Sequence, residues 1–138
     1  MSSLIVRALN EDDYHLTLTG WWEEWGWSAP PIDFLPHNGK GGIMVLDGDT
    51  PICAGFMYVT NSSVAWVDWI ISNKKYTDRP KRKEALLLLI TRLTEACKKA
   101  GSKYCYALIK HQGLAEVYKE LGYSQGDSYT TEMIKTLQ

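Results

Sequence analysis

Cysteine and histidine are both scarce, with three of each among 138 residues. Cys53, Cys97 and Cys105 each lie in an apolar stretch, and an odd number without paired spacing argues against a disulfide framework and a zinc site. They read as reduced core thiols. His15, His37 and His111 lack the spacing of metal ligands, so no metal is expected. No serine sits in the glycine pattern of a nucleophile elbow. Neither charge sign is in excess: fifteen Lys and Arg against sixteen Asp and Glu leave a net charge of −1. No global field therefore draws the chain to nucleic acid or to a membrane, and any anion site must be local. Long apolar runs are missing too. The longest, Ala85 to Ile90, is followed closely by Arg92 and Glu95 and falls far short of the roughly 20 residues of a membrane span. The opening MSSLIVRALNEDD lacks the basic and apolar regions of a signal peptide, so a cytoplasmic location is expected.

What remains is an ordinary globular composition, 45% hydrophobic and 22% charged, in a length that suits one domain, 1–138, with a single core. Leu4 to Ala8 reads as a strand. Asn10 followed by Glu11, Asp12 and Asp13 reads as an N-cap with acids in the first turn of a helix reaching Gly20 or beyond. From Trp21 to Lys40 the chain is aromatic and then rich in Pro and Gly, which breaks regular structure. Ile43 to Leu46 and Ile52 to Val59 flank Asp47-Gly48-Asp49, a hairpin turn, and Asn61-Ser62-Ser63 leads to a third strand, Val64 to Ile71. The longest helix runs from Asp78, its N-cap, to about Ala100, with Leu86, Leu89, Ile90, Leu93 and Cys97 at helical spacing. A strand from Tyr104 to Ile109, a helix from Leu114 to Leu121 with Gly122 as its C′ residue, and a strand from Tyr129 to Leu137 complete the pattern.

This α/β order of strand, helix, three antiparallel strands, helix, strand, helix, strand resembles the GNAT N-acetyltransferase fold over nearly the whole chain. The most specific part is Leu114-x-x-x-Tyr118-Lys-Glu-Leu-Gly122-Tyr123, similar to the family's helix in which a tyrosine lies four residues before a Gly-aromatic pair. The resemblance implies acetyl-CoA as co-substrate, a mixed and mostly antiparallel sheet, and Tyr118 as the acid that protonates the departing thiolate. His111 stands where the family often has asparagine as a cofactor contact. A helix tyrosine with its ring in the core is the alternative reading of Tyr118.

Acyl transfer to an amine also needs a proton acceptor. Asp68 lies in Val64-Ala65-Trp66-Val67-Asp68-Trp69-Ile70-Ile71, where alternation places it on the face of Trp66 and Ile70. An acid in such surroundings has its pKa raised by desolvation unless a cation pairs with it. GNAT relatives with a carboxylate base often carry it on this strand, and a structural aspartate paired with Arg or Lys is the other reading.

The basic run Lys74 to Lys83 opens the long helix, where cations oppose the macrodipole. A bound phosphate would offset that repulsion, with Arg79, Lys81, Arg82 and Lys83 as the candidate contacts; long side chains spread into water are the plain alternative. Starting from Arg79, the family's two small residues are replaced here by Arg82 and Glu84; either these side chains block the close approach of backbone to phosphate, or Arg82 grips phosphate through its guanidinium while the backbone contributes less. By resemblance, the backbone of Ile70, Ile71 and Ser72 would meet the pantetheine arm and thioester oxygen. The stretch Trp21 to Trp27 concentrates four of the six tryptophans. Trp22, Glu23, Glu24, Trp25 and Trp27 are the candidate wall for a cationic amine, with core packing or a homodimer contact explaining the same residues otherwise. The expected function is acetyl transfer from acetyl-CoA to a primary amine of a small molecule or protein. A GNAT-fold binding protein without catalysis and a nucleic-acid module built on the basic run are the alternatives.

Overall fold

The computed structural model describes residues 3–128 and 131–137. Five strands form one sheet in the order β1 (Leu4–Ala8), β2 (Gly42–Asp47), β3 (Thr50–Val59), β4 (Val64–Ser72) and β5 (Tyr104–Tyr106). The first three pairings are antiparallel and the last, β4 with β5, is parallel. The expected meander is present, and Gly48 takes the positive φ, +58°, that its hairpin turn needs.

Helices cover both faces. On one, α2 (Arg79–Lys99) and α3 (Gln112–Glu120) bury Leu89, Leu93, Val117 and Tyr118 against Val45, Cys53, Ala65 and Val67. Asp78 caps α2, accepting from Lys81 N at 3.1 Å. The opposite face is covered by a π-helical turn, Tyr14–Leu18, running into α1 (Thr19–Glu24), and by two 3₁₀ turns, Ile32–Phe34 and Pro36–Gly39. Leu18, Trp21, Trp22 and Leu35 there meet Met44, Ala54, Phe56 and Ile71. Gly42 and Gly55 let the strands and α2 approach closely: a Cβ on Gly42 would lie 2.1 Å from Gly55 O, and one on Gly55 would lie 2.4 Å from Ile70 Cδ1. No helix of the described residues is long and apolar enough to cross a membrane.

Asn10 opens the first helical region as expected, its side chain accepting from Asp12 N at 3.0 Å, and the regular helix that follows is a π-helical turn from Tyr14. Two expectations need correction. The strand expected over Tyr104–Ile109 ends at Tyr106, because the chain then leaves β4. Tyr129 and Thr130, the start of the expected final strand, lie outside the described residues; 131–137 carry no regular structure and are exposed.

Asp13 returns a hydrogen bond to Asn10. It accepts from Asn10 N at 2.7 Å and from Arg7 Nη1 and Nη2 at 2.8 and 2.9 Å, tying the first helical turn to β1. The bidentate Arg7 guanidinium holds the Asp13 carboxyl below its ordinary pKa. Its contribution to stability is therefore complete above the usual carboxylate pKa and is lost as pH falls through the lowered one. Asp13→Ala should destabilise the fold by about 1–2 kcal/mol, toward the lower end because Arg7 is partly in water. Urea melts at pH 7 and pH 3 check this, and the variant should lose less stability on acidification than the parent.

Candidate active site

Strand β5 pairs with β4 over only three positions, from Val64 with Tyr104 to Trp66 with Tyr106. Past Trp66 the two diverge, and among the described residues no strand takes up that edge of β4. The sheet opens there into a fork. In the same stretch β4 carries one extra residue relative to β3: Phe56 faces Asp68, whereas Ala54 faces Ile71. The bulge is built with Trp69 at φ +55°, a left-handed conformation that costs a non-glycine residue about 1–3 kcal/mol. It resets the alternation. Asp68 stays on the face of Phe56, but Ile70 turns to the other face and packs toward Gly55 and Leu93, contrary to the alternation expected from sequence.

Asp68 sits at the mouth of the fork. Its carboxylate accepts from Trp69 N at 3.0 Å and from the Leu108 amide on the diverging segment. Burial pushes its pKa above the ordinary carboxylate value, and the two amides offset only part of that. Among the described residues no Lys or Arg forms an ion pair with it, so the structural salt bridge that sequence allowed is not made.

Tyr118 reaches the same fork from the opposite face. Its side chain is buried, its hydroxyl donates to Val67 O at 2.8 Å, and its ring meets Tyr123 edge-on at 4.9 Å. Tyr123 in turn hydrogen-bonds Thr94 at 2.6 Å, fixing the end of α3 to α2. Burial, and next the charge of Asp68, push the Tyr118 pKa up, so the phenol keeps its proton at neutral pH.

A cleft of about 290 Å³ separates the start of α2 from α3, lined by Arg79, Arg82, Lys83, Gly113, Val117 and Glu120 among others. Lys83 and Glu120 pair across it at 3.1 Å. The Arg82 guanidinium turns back on the preceding loop and donates to Asn73 O at 3.0 Å and to Tyr76 O, while its buried Nε has no partner among the described residues. Lys81 points elsewhere, toward Ser3 Oγ at 3.0 Å and Asp47 Oδ1 at 3.9 Å. Its amide is already taken by the Asp78 cap and Arg82 N by Asp78 O. The cations of the run thus separate: Arg79 and Lys83 face the cleft, Arg82 braces the loop, and Lys81 leaves. His111 occupies the N-cap position of α3 and is exposed, with its ring beside Gly113.

The tryptophan segment divides as well. Trp21 and Trp22 are core residues, 5% and 2% exposed. Trp25 Nε1 donates to Ser72 O at 2.8 Å, its ring stacks on Trp27 at 5.7 Å, and Lys74 Nζ lies 5.2 Å from the Trp25 centroid. Glu24 pairs with Lys75 at 3.7 Å, and Glu23 is exposed. This segment braces the end of β4. Of its members only Trp22 reaches the bulge, meeting Trp69 edge-on at 6.3 Å.

No protein-family model and no curated protein sequence matches the chain. Solved structures do. A glucosamine-6-phosphate N-acetyltransferase from Arabidopsis thaliana superposes with a TM-score of 0.64 at 8% identity, over 97% of this chain and 100% of that one. An aminoglycoside acetyltransferase from an uncultured soil sample, in complex with sisomicin, gives 0.64 at 14% identity, over 99% and 97%. The chain has the GNAT acetyltransferase fold. A transcriptional regulator from Bacillus halodurans shares it too, with a TM-score of 0.66 at 10% identity over 95% and 99%, so the fold alone does not fix the function.

Sequence reading missed part of what surrounds Asp68 in this GNAT fold. Tyr58 donates to Phe34 O at 2.9 Å, Phe34 meets Trp69 at 6.5 Å, and Trp66 meets Tyr106 at 4.5 Å. The alternation of Phe56 and Tyr58 on the strand beside Asp68 was the available signal for Tyr58. Phe34 had none, since its 3₁₀ turn comes from a distant segment.

Proposed function

We propose that residues 1–138 act as one acetyltransferase domain that moves an acetyl group from acetyl-CoA to a primary amine held beside Asp68. The observation that carries this reading is the fork. Among the described residues no strand takes up that edge of β4, and a carboxylate without an ion-pair partner enters from one face and a protonated phenol from the other. Acetyl-CoA supplies an activated thioester. Asp68 takes the proton of the amine as its nitrogen bonds to the acetyl carbon, and the backbone of Ile70, Ile71 and Ser72 at the end of β4 serves the pantetheine arm and, through an N–H facing the open edge, polarises the acetyl oxygen. The carbon–sulfur bond breaks, and Tyr118 passes its proton to the sulfur. The cleft between α2 and α3 suits the phosphates through Arg79 and Lys83, with His111 at its α3 end. Side chains do most of this gripping, because the first-turn amides of α2 are largely spoken for.

Thiol release from acetyl-CoA in the presence of an amine panel tests the reading. Tyr118→Phe should lower turnover by about 10²-fold or more and leave acetyl-CoA affinity within about twofold. Unchanged turnover would remove Tyr118 as the acid.

A further inference from the structure

The covering segments on the Asp68 face stop at Phe34, Tyr58 and Trp69, and beyond them the face of β4 and β5 is open to solvent. Tyr104, Tyr106 and Leu108 are 58%, 39% and 51% exposed there. Asp68 stands at the border, on the same face as Trp66, with Tyr58 opposite Trp66 on the neighbouring strand. Its surroundings are aromatic on both sides: Phe34, Tyr58 and Trp69 on one, Trp66 and Tyr106 on the other. The rings are held in place, Tyr58 by its hydrogen bond to Phe34 O and Trp69 by edge-on contacts with Trp22 and Phe34. The Tyr58 hydroxyl, which donates to Phe34 O, therefore has its proton engaged. Asp68 is the carboxylate whose charge reaches both Tyr58 and Tyr118.

Such a wall offers the Asp68 charge and a large apolar area. An aminosugar or aminoglycoside would bring many hydroxyls here, and each one stripped of water without a partner costs roughly tenfold in affinity. A polyamine would bring a second and third cation to strip of water against rings, and no apolar body to cover them. An aromatic body carried on a single ammonium matches both features, through burial of the ring and contact of the ammonium with the ring faces and Asp68. We infer that the acceptor is a small arylalkyl monoamine, which docks as an ammonium on Asp68 with its ring against Phe34, Tyr58 and Trp69 and releases one proton to solvent before its nitrogen attacks, Asp68 taking the second. This inference rests on the transferase reading for its chemistry but predicts binding on its own.

The test uses 2-phenylethylamine, spermidine and glucosamine with the full chain and coenzyme A, reading binding by calorimetry, and with acetyl-CoA, reading thiol release. Phenylethylamine should bind saturably, and its kcat/KM should exceed those of the other two by about 100-fold or more. Phe34→Ala, at a site already 41% exposed, should weaken phenylethylamine binding by about tenfold without altering acetyl-CoA binding. Preferred acetylation of spermidine or glucosamine would overturn the inference while leaving the transferase reading intact. Saturable, Phe34-dependent binding of phenylethylamine without thiol release would support the acceptor site and overturn the transferase reading. No binding of phenylethylamine overturns the inference.

Discussion

Asp68→Asn is expected to lower kcat for acetyl transfer by about 10²–10⁴-fold while leaving acetyl-CoA affinity nearly unchanged. Asparagine keeps an oxygen for the amides of Trp69 and Leu108 but cannot take a proton. The pH profile separates loss of a base from a change in structure. Burial raises the Asp68 pKa, so the parent rate should climb with pH through a value above the ordinary carboxylate range, and the variant should lack that limb. Stability should move the other way. A carboxyl with a raised folded pKa favours its protonated form in the fold, so its ionisation weakens the fold progressively as pH rises from the ordinary pKa to the raised one. At pH 7 the variant should therefore melt at the same temperature as the parent or higher. A lower melting temperature would mean that Asp68 has a stabilising partner.

Phe56→Ala is expected to have the largest effect on stability, a loss of about 3–5 kcal/mol, or roughly 10–15 °C in Tm. Phe56 is fully buried and lies directly opposite Asp68 in the register of β3 and β4. Met44, Trp22 and Ile71 belong to the same cluster, and the backbone close to Gly42 leaves little freedom for the strands to collapse into the space. Because the cavity would open beneath the bulge, turnover should fall in folded protein as well. Thermal melts with thiol-release assays below the transition check both parts.

Much of the fold was legible because its signals are local. The meander follows from period-two strands around Asp47-Gly48-Asp49, and α2 from a 3.6-residue apolar stripe behind Asp78. The end of α3 at Gly122, φ +94°, follows from glycine alone. The bulge was not legible, because the residue that takes positive φ is a tryptophan and nothing in its neighbours marks it. That single residue moved Ile70 to the other face. The length of β5 depends on where a separate segment parts from β4, which no periodicity records. Asp68 and Tyr118 were each readable as candidates, but their approach to one fork from opposite faces is a tertiary fact. Arg82 misled for a related reason: a guanidinium in a basic run looks available, and here nearby backbone carbonyls claim it. The tryptophans were visible as a cluster, yet Trp21 and Trp22 are core while Phe34 and Tyr58, far apart in sequence, stand beside the carboxylate.

The central claim is that the fork and the cleft beside it receive acetyl-CoA. A calorimetric titration of the chain with acetyl-CoA tests it most directly. Saturable binding of one cofactor per chain, weakened about tenfold or more when Arg79 and Lys83 are both replaced by alanine, is the result predicted. No binding at millimolar acetyl-CoA would contradict it.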